Sequence, residues 1–328
     1  MKKPYVFVTR KIPEEALIAL AEIAEVSMWP HEEIPVPRKK LLEEASHADA
    51  LYTMLSDKID EELLSQSPNL KVVANLAVGY DNIDIEAATR KGVAICNTPD
   101  VLSDTTADLT FALLLATARR VVESCEYIKA GKWENWGPLL LAGSDVHHKT
   151  IGIIGMGRIG QAVARRASGF EMNILYHNRS RNEKAEQELN ATYCSFTELL
   201  NKSDFVVCLA PLTAETKGLF NKEAFKQMKN KAIFINVSRG DLVDEVALYN
   251  ALKNLQIKGA GLDVFCHEPI SADHPLLTLP NVVATPHIGS ASVETRMEMA
   301  KLASRNIVNI LQNNRPEAIV NEVILSSL

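Results

Sequence analysis

The sequence holds no apolar run approaching the length needed to cross a bilayer, and its opening MKKPYVFVTR returns to charge after a short apolar stretch. Neither a membrane span nor a secretory leader is therefore expected, and a soluble cytoplasmic protein is. Cysteine is scarce. Five of 328 residues, Cys96, Cys125, Cys194, Cys208 and Cys266, lie far apart with no CxxC pair, an odd and scattered set that argues against a disulfide framework and suits a reducing compartment. Excess positive charge is missing too: 35 Lys and Arg against 41 Asp and Glu leave a net charge of -6, so there is no general attraction for nucleic acid or anionic lipid and any basic cluster is a local feature. No metal site is expected, since His147 and His148 have no third donor at a usual spacing. Low-complexity tracts and repeats of a solenoid period are absent.

What is present points to two domains. At 47% hydrophobic over 328 residues, the chain can bury substantial cores and is too long for one typical domain. Short apolar strands alternate with amphipathic stretches, the pattern of α/β domains built on parallel sheets. YVFVTR, ADALYTML, LKVVANLA and GVAICN read as strands of a first unit, with helices over 13–24 and 84–91 between them. A long helix follows in DTTADLTFALLLATARR, with Ser103 and Asp104 as candidate caps and Arg119 and Arg120 set against the negative end of its dipole. TIGIIGMGRIGQAVARRA opens a second alternation, continued by MNILYHN, SDFVVCLA, KAIFINVS, GAGLDVF and NVVATPH, and residues 292–312 are helical again.

The sharpest motif is Gly155-Met156-Gly157-Arg158-Ile159-Gly160, between the apolar strand over 150–154 and a helix that begins near Arg158. Glycines belong there for three reasons: a tight turn, close approach of backbone to a pyrophosphate, and close packing of helix on strand. A pyrophosphate then sits on the helix N-terminus, where free N–H groups and the dipole favour negative charge. The second half of this fingerprint asks for Asp or Glu about 20 residues on, to bond the adenosine ribose. That slot holds His177, followed by Asn178, Arg179, Ser180 and Arg181, with no acid before Glu183. An acid would repel a 2′-phosphate, whereas these four residues would bind one through charge-assisted hydrogen bonds. NADPH is therefore the expected cofactor, with NADH as the alternative.

Three side chains sit where apolar strands of the second set run out: Arg239 after FINVS, Glu268 after GLDVF, and His287 after VVATP. Each taken singly has an ordinary structural explanation; their shared position at strand ends makes them a catalytic candidate.

IGIIGMGRIGQAVA, INVSRGDLVDE, AGLDVFCHEP and ATPHIGSAS together resemble the signature segments of the D-isomer-specific 2-hydroxyacid dehydrogenases, and within them the glyoxylate/hydroxypyruvate reductases, including bacterial enzymes that also reduce 2-ketogluconate. VGYDNIDIEAATRKGV and HPLLTLPNV fit as well, so the resemblance covers essentially the whole chain. It implies reduction of a small 2-keto acid. Arg239 would hold the carboxylate and carbonyl oxygen, His287 would be the general acid, and Glu268 would orient His287 and favour its protonated form. By the same resemblance Thr106, Ala210, Pro211, Val237, Asp263 and Gly289 would line the cofactor. Val78 and Gly79 would hold the substrate carboxylate through backbone N–H groups, and Leu55 would form an apolar wall of the pocket. Cys266 stands where many members carry an acid; it reads as a tolerated neighbour of Glu268, with a redox-sensitive thiol as the alternative.

The fold implied is a two-domain α/β protein in which a Rossmann-type doubly wound parallel sheet, residues 101–289, is inserted in a smaller flavodoxin-like substrate domain made of 1–100 and 290–328. A cleft between the domains, closing on a hinge, would hold the reacting atoms. The resemblance further implies a homodimer in which the GKWENWGPLL segment crosses to the partner subunit and Trp136 borders the partner's substrate pocket. Two other readings compete: an NAD-dependent dehydrogenase of phosphoglycerate or D-lactate, against which the absent acid at His177 counts, and a dinucleotide sensor that kept the fold and lost catalysis, against which the presence of Arg239, Glu268 and His287 counts.

Overall fold

A computed structural model describes residues 3–326. The chain divides into two compact units, one made of the residues up to 102 together with those from 292 onward, the other of residues 103–291.

The first unit is built on β1 (Tyr5–Val8), β2 (Glu25–Met28), β3 (Ala50–Thr53), β4 (Val72–Asn75) and β5 (Ala94–Cys96), all parallel in the order β2-β1-β3-β4-β5. This is the flavodoxin-type doubly wound order. β3 and β4 are buried along their whole length, as central strands covered by helices on both faces must be, and they read as unbroken apolar runs for that reason. β2 escapes the sequence pattern because it is an edge strand that begins on Glu25 and buries no residue fully. The long helix Val293–Leu311 opens on Ser292, whose side chain accepts from Thr295 N, and buries Met299, Ala303, Ile307 and Ile310. The Tyr52 hydroxyl donates to Ala300 O at 3.1 Å and ties this helix to β3.

The second unit carries β6 (Thr150–Ile154), β7 (Asn173–His177), β8 (Thr192–Tyr193), β9 (Phe205–Cys208), β10 (Ile233–Asn236), β11 (Gly259–Leu262) and β12 (Val282–Ala284), parallel throughout in the order β12-β11-β10-β9-β6-β7-β8. The chain winds outward one way through β7 and β8 and the other way from β9, so the order reverses between β6 and β9. Ligands of open α/β sheets bind at the carboxyl ends of the strands beside such a reversal. β8, two residues long, has no pattern to read. One apolar layer of the sheet gathers Phe220, Phe225 and Phe234, and another gathers Phe111, Tyr176 and Phe205.

The helix Ser103–Ala118 differs from expectation at both ends. It starts on Ser103, so Ser103 and Asp104 lie in its first turn rather than ahead of it, and Asp104 and Asp108 instead take Arg166 of the helix Arg158–Gly169 at 3.2 and 2.6 Å. Arg119 and Arg120 fall beyond its last residue. Arg120 adopts a left-handed φ of 55°, and its Nε and Nη2 grip Glu123 at 2.8 and 2.7 Å, so it serves the first turn of a second helix, Val121–Lys129, rather than the dipole of the first.

Candidate active site and dinucleotide loop

β6 ends at Ile154 and the chain turns on Gly155, whose φ of 102° is one that side chains avoid; a Cβ there would also lie 2.7 Å from the Ala210 nitrogen. At Gly160 a Cβ would lie 2.1 Å from Gly155 O, so only glycine lets the following helix approach the turn. Around Gly157 the space is open, and the helix Arg158–Gly169 that starts after it has no side-chain cap. Open room in front of an uncapped helix N-terminus is what a pyrophosphate needs, and the loop fits a dinucleotide in that respect. Arg158 is exposed, while Ile159 packs on the core layer behind the loop.

The polar cluster at the end of β7 is held on the glycine loop at both ends. Asn178 Oδ1 accepts from Met156 N at 2.7 Å, and Asn182 Nδ2 donates to Met156 O at 3.1 Å. Arg179, Ser180 and Arg181 are displayed, exposed, on the arc between these two asparagines. Asn182 also caps the helix Glu183–Leu189 by accepting from Ala185 N. His177 is turned away from the arc, its Nδ1 donating to Cys194 O at 2.9 Å. Arg181 is gripped by Glu186, an acid from that helix, while the charge of Arg179 reaches Glu215.

Arg239, Glu268 and His287 are brought to neighbouring strand ends. His287 Nδ1 and Glu268 Oε2 are 2.7 Å apart, with the two side chains 23% and 30% exposed. Glu268 is fixed in turn by Phe265 N, which donates to Oε1 at 2.9 Å. Burial alone would raise the Glu268 carboxyl, but the hydrogen bond and charge of His287, the Phe265 N–H and the charge of Arg239 outweigh it and hold the group below its ordinary value. Glu268 is thus an anion at neutral pH facing one ring nitrogen of His287. Arg239 is half-buried; its Nη1 donates to Ser238 O at 2.9 Å and its carbonyl accepts from Asn236 Nδ2 at 2.9 Å. Ser238 Oγ donates to Ala210 O, which locks the segment before Arg239 onto the end of β9.

His287 itself has a φ of 53°, a conformation that costs a β-substituted residue energy unless its surroundings impose it. Asp263 imposes it. Its carbonyl accepts from His287 N at 2.9 Å, Oδ1 accepts from Thr285 Oγ1 and Ile288 N at 2.6 and 2.8 Å, and Oδ2 accepts from Gly289 N at 2.8 Å. Burial pushes the Asp263 carboxyl up against the pull of these donors and of His287. Asp263 was expected along the cofactor; the structure shows both of its oxygens bonded to the loop that carries His287. A Cβ at Gly289 would lie 3.5 Å from Thr106 Cγ2, so Thr106, Asp263 and Gly289 do gather in one place. Val237 and Ala210 are buried and Pro211 is exposed.

In the first unit, Val78 and Gly79 lie on the loop after β4. Their carbonyls accept from Asn97 Nδ2 and Asn75 Nδ2 at 2.8 and 3.0 Å, and among the described residues their N–H groups donate to no protein acceptor. Leu55 is half-buried on the loop after β3, which Asn82 Nδ2 secures through Met54 O and Asp57 O at 3.2 and 2.8 Å.

All five cysteines are free. Burial and the nearby carboxylates, Glu245 first among them, push the Cys266 thiol up to about 12, so it stays protonated and the redox-sensitive alternative finds no support. Among the described residues no group of three or more His, Cys, Asp or Glu is placed to hold a metal ion, and His148 pairs with Glu171 at 3.1 Å. No helix among them is long and apolar enough to cross a membrane.

Asn182, Glu186 and the looping role of Asp263 escape a residue-by-residue reading. The symmetric placing of two asparagines in NRSRN was the available signal for the first; the others depend on how the chain closes in space.

Residues 111–289 match the family described as D-isomer specific 2-hydroxyacid dehydrogenase, NAD binding domain. Glyoxylate reductase of Pyrococcus furiosus is 50% identical over 327 residues, covering 98% of this chain and 97% of the relative. That of Pyrococcus horikoshii is 51% identical over 327 residues, again covering 98% and 97%. Among solved structures, an NADPH-dependent glyoxylate/hydroxypyruvate reductase from Sinorhizobium meliloti in complex with NADP and malonate superimposes with a TM-score of 0.86 at 34% identity, covering 98% of each chain.

Proposed function

The chain belongs to the D-isomer-specific 2-hydroxyacid dehydrogenases, and from that membership we propose that it reduces glyoxylate to glycolate, with hydroxypyruvate and 2-ketogluconate as further substrates and NADPH preferred over NADH. The observation that carries the reading is the 2.7 Å contact of His287 Nδ1 with an ionised Glu268, beside Arg239. A reduced nicotinamide held there would supply the hydride for the carbonyl carbon. Arg239 holds the substrate carboxylate and the carbonyl oxygen with its fork of donors, and that oxygen takes a proton from His287 Nε2. Glu268 keeps the ring oriented through the 2.7 Å contact with Nδ1. Leu55, Val78 and Gly79 are the further substrate contacts. Gly155, Gly157, Arg158, Ile159 and Gly160 hold the pyrophosphate, Asn178 through Arg181 the adenosine end, and Thr106, Ala210, Pro211, Val237, Asp263 and Gly289 the remainder of the cofactor.

Following nucleotide absorbance with each keto acid tests this directly. Turnover with glyoxylate at a lower KM for NADPH than for NADH is expected; no turnover with any 2-keto acid rules the reading out, and a lower KM for NADH removes the cofactor preference. A cytoplasmic setting accords with five unpaired thiols.

The reading includes a homodimer. Trp133, Trp136 and Leu139 are 58%, 77% and 82% exposed, and the adjoining helix Val121–Lys129 has no buried residue. An apolar patch of this kind is a natural self-association surface, with Trp136 limiting substrate size in the partner. Light scattering should give twice the chain mass, and Trp136→Ala should relax the preference for small keto acids. A monomer, or unchanged kinetics across glyoxylate and larger keto acids, contradicts it.

A further inference from the structure

Glu186 meets Arg181 edge to edge: Arg181 Nε reaches Oε1 and Nη2 reaches Oε2, both at 2.7 Å. The same Oε1 accepts from the Tyr176 hydroxyl at 2.6 Å, and that hydroxyl accepts from Asn182 N at 2.7 Å. One carboxylate therefore joins β7, the displayed arc and the helix Glu183–Leu189. A two-pronged pair with a third donor holds a guanidinium in one orientation, where an exposed arginine would otherwise sample many. The pair uses the Nε and Nη2 edge and leaves the Nη1 amino group outside it. Arg181, and to a smaller extent Tyr176, hold the Glu186 carboxyl down to about 2, so the grip persists through any pH at which the protein would be assayed.

We propose that Glu186 is a positioning residue for recognition of the adenosine 2′-phosphate: it fixes Arg181 so that Nη1 stands ready for the phosphate, while Arg179, on the same arc, supplies the second positive charge. The proposal rests on the NADPH preference argued above. An acid five residues after Arg181 looks at first like a group that cancels its charge. Its geometry gives it the opposite value, because the ordering cost of a long side chain is met in the folded protein instead of on binding. NADH, which has no phosphate at this position, gains nothing from the arrangement.

The test is a set of variants, Glu186→Gln, Arg181→Ala, Arg179→Ala and the Glu186→Gln/Arg181→Ala pair, each assayed for KM with NADPH and with NADH at saturating glyoxylate. NADH kinetics report any general loss of structure. Glu186→Gln should raise KM for NADPH relative to NADH by about 2- to 12-fold, the ordering cost of one long side chain. It should add nothing to that ratio in the Arg181→Ala background, since it acts through Arg181. Arg179→Ala should raise the same ratio on its own. If Arg179→Ala is selective but Glu186→Gln leaves the ratio unchanged, or keeps its effect without Arg181, the role of Glu186 is overturned and the NADPH reading stands. If Arg179→Ala weakens both cofactors equally, the 2′-phosphate reading falls, and the role of Glu186 with it.

Discussion

Changing His287 to Gln lowers kcat/KM for glyoxylate reduction about 10²- to 10⁴-fold, the usual worth of a positioned general acid. Glutamine is close to the imidazole in size and can still reach Glu268, so the loop tied down by Asp263 keeps its shape and the loss falls on proton transfer. A split between the constants separates this from a packing defect: kcat falls while KM for NADPH stays unchanged. Glu268 contributes no limb near neutrality: its carboxyl is held below its ordinary value, so the pair with His287 is fully present above the ordinary carboxylate range and is lost only as pH falls through the lowered value. Steady-state rates across pH check both points. A loss under tenfold means that another group delivers the proton.

How far these features could be read before the structure depends on whether they are local. The glycine loop was legible because the turn at Gly155 and the contact of Gly160 with Gly155 O lie within six residues, while the close approach of Gly155 to Ala210 depends on how the chain closes in space. The strand end that presents Arg239 was legible because a central parallel strand is apolar throughout and its end is abrupt, and the edge strand β12 still shows an apolar Val-Val-Ala run ahead of His287. What stayed hidden was closure. His287 and Glu268 are 19 residues apart and meet only because one carboxylate, Asp263, folds the 285–289 loop back over the end of β11. Arg181 reads as a free cation until the helix after it brings Glu186 round. β2 and β8 were missed for a different reason: β2 is an edge strand that begins on Glu25, and β8 is only two residues long.

Arg239→Gln is expected to cost about 30- to 5,000-fold in kcat/KM for glyoxylate, the range for removing one member of a hydrogen-bonded charge pair worth about 2 to 5 kcal/mol. The effect should appear in both constants, because the guanidinium would meet the carboxylate already present in the ground state and the oxygen on which charge develops as hydride arrives. KM for NADPH should change little, since the residues expected to contact the nucleotide are untouched. Part of the loss is indirect. Arg239 is one of the charges that keep Glu268 ionised, so its removal weakens the partner that orients His287. Arg239→Lys distinguishes the contributions: it restores the charge felt by Glu268 but lacks the planar fork, and should recover the shape of the pH profile without recovering KM for glyoxylate. The backbone around the substitution is secured independently, through Asn236 Nδ2 to the residue 239 carbonyl and Ser238 Oγ to Ala210 O, so neither variant should unfold the loop. If KM for glyoxylate is unchanged in Arg239→Gln, the substrate carboxylate is held elsewhere, and the N–H groups of Val78 and Gly79 become the primary anchor to examine.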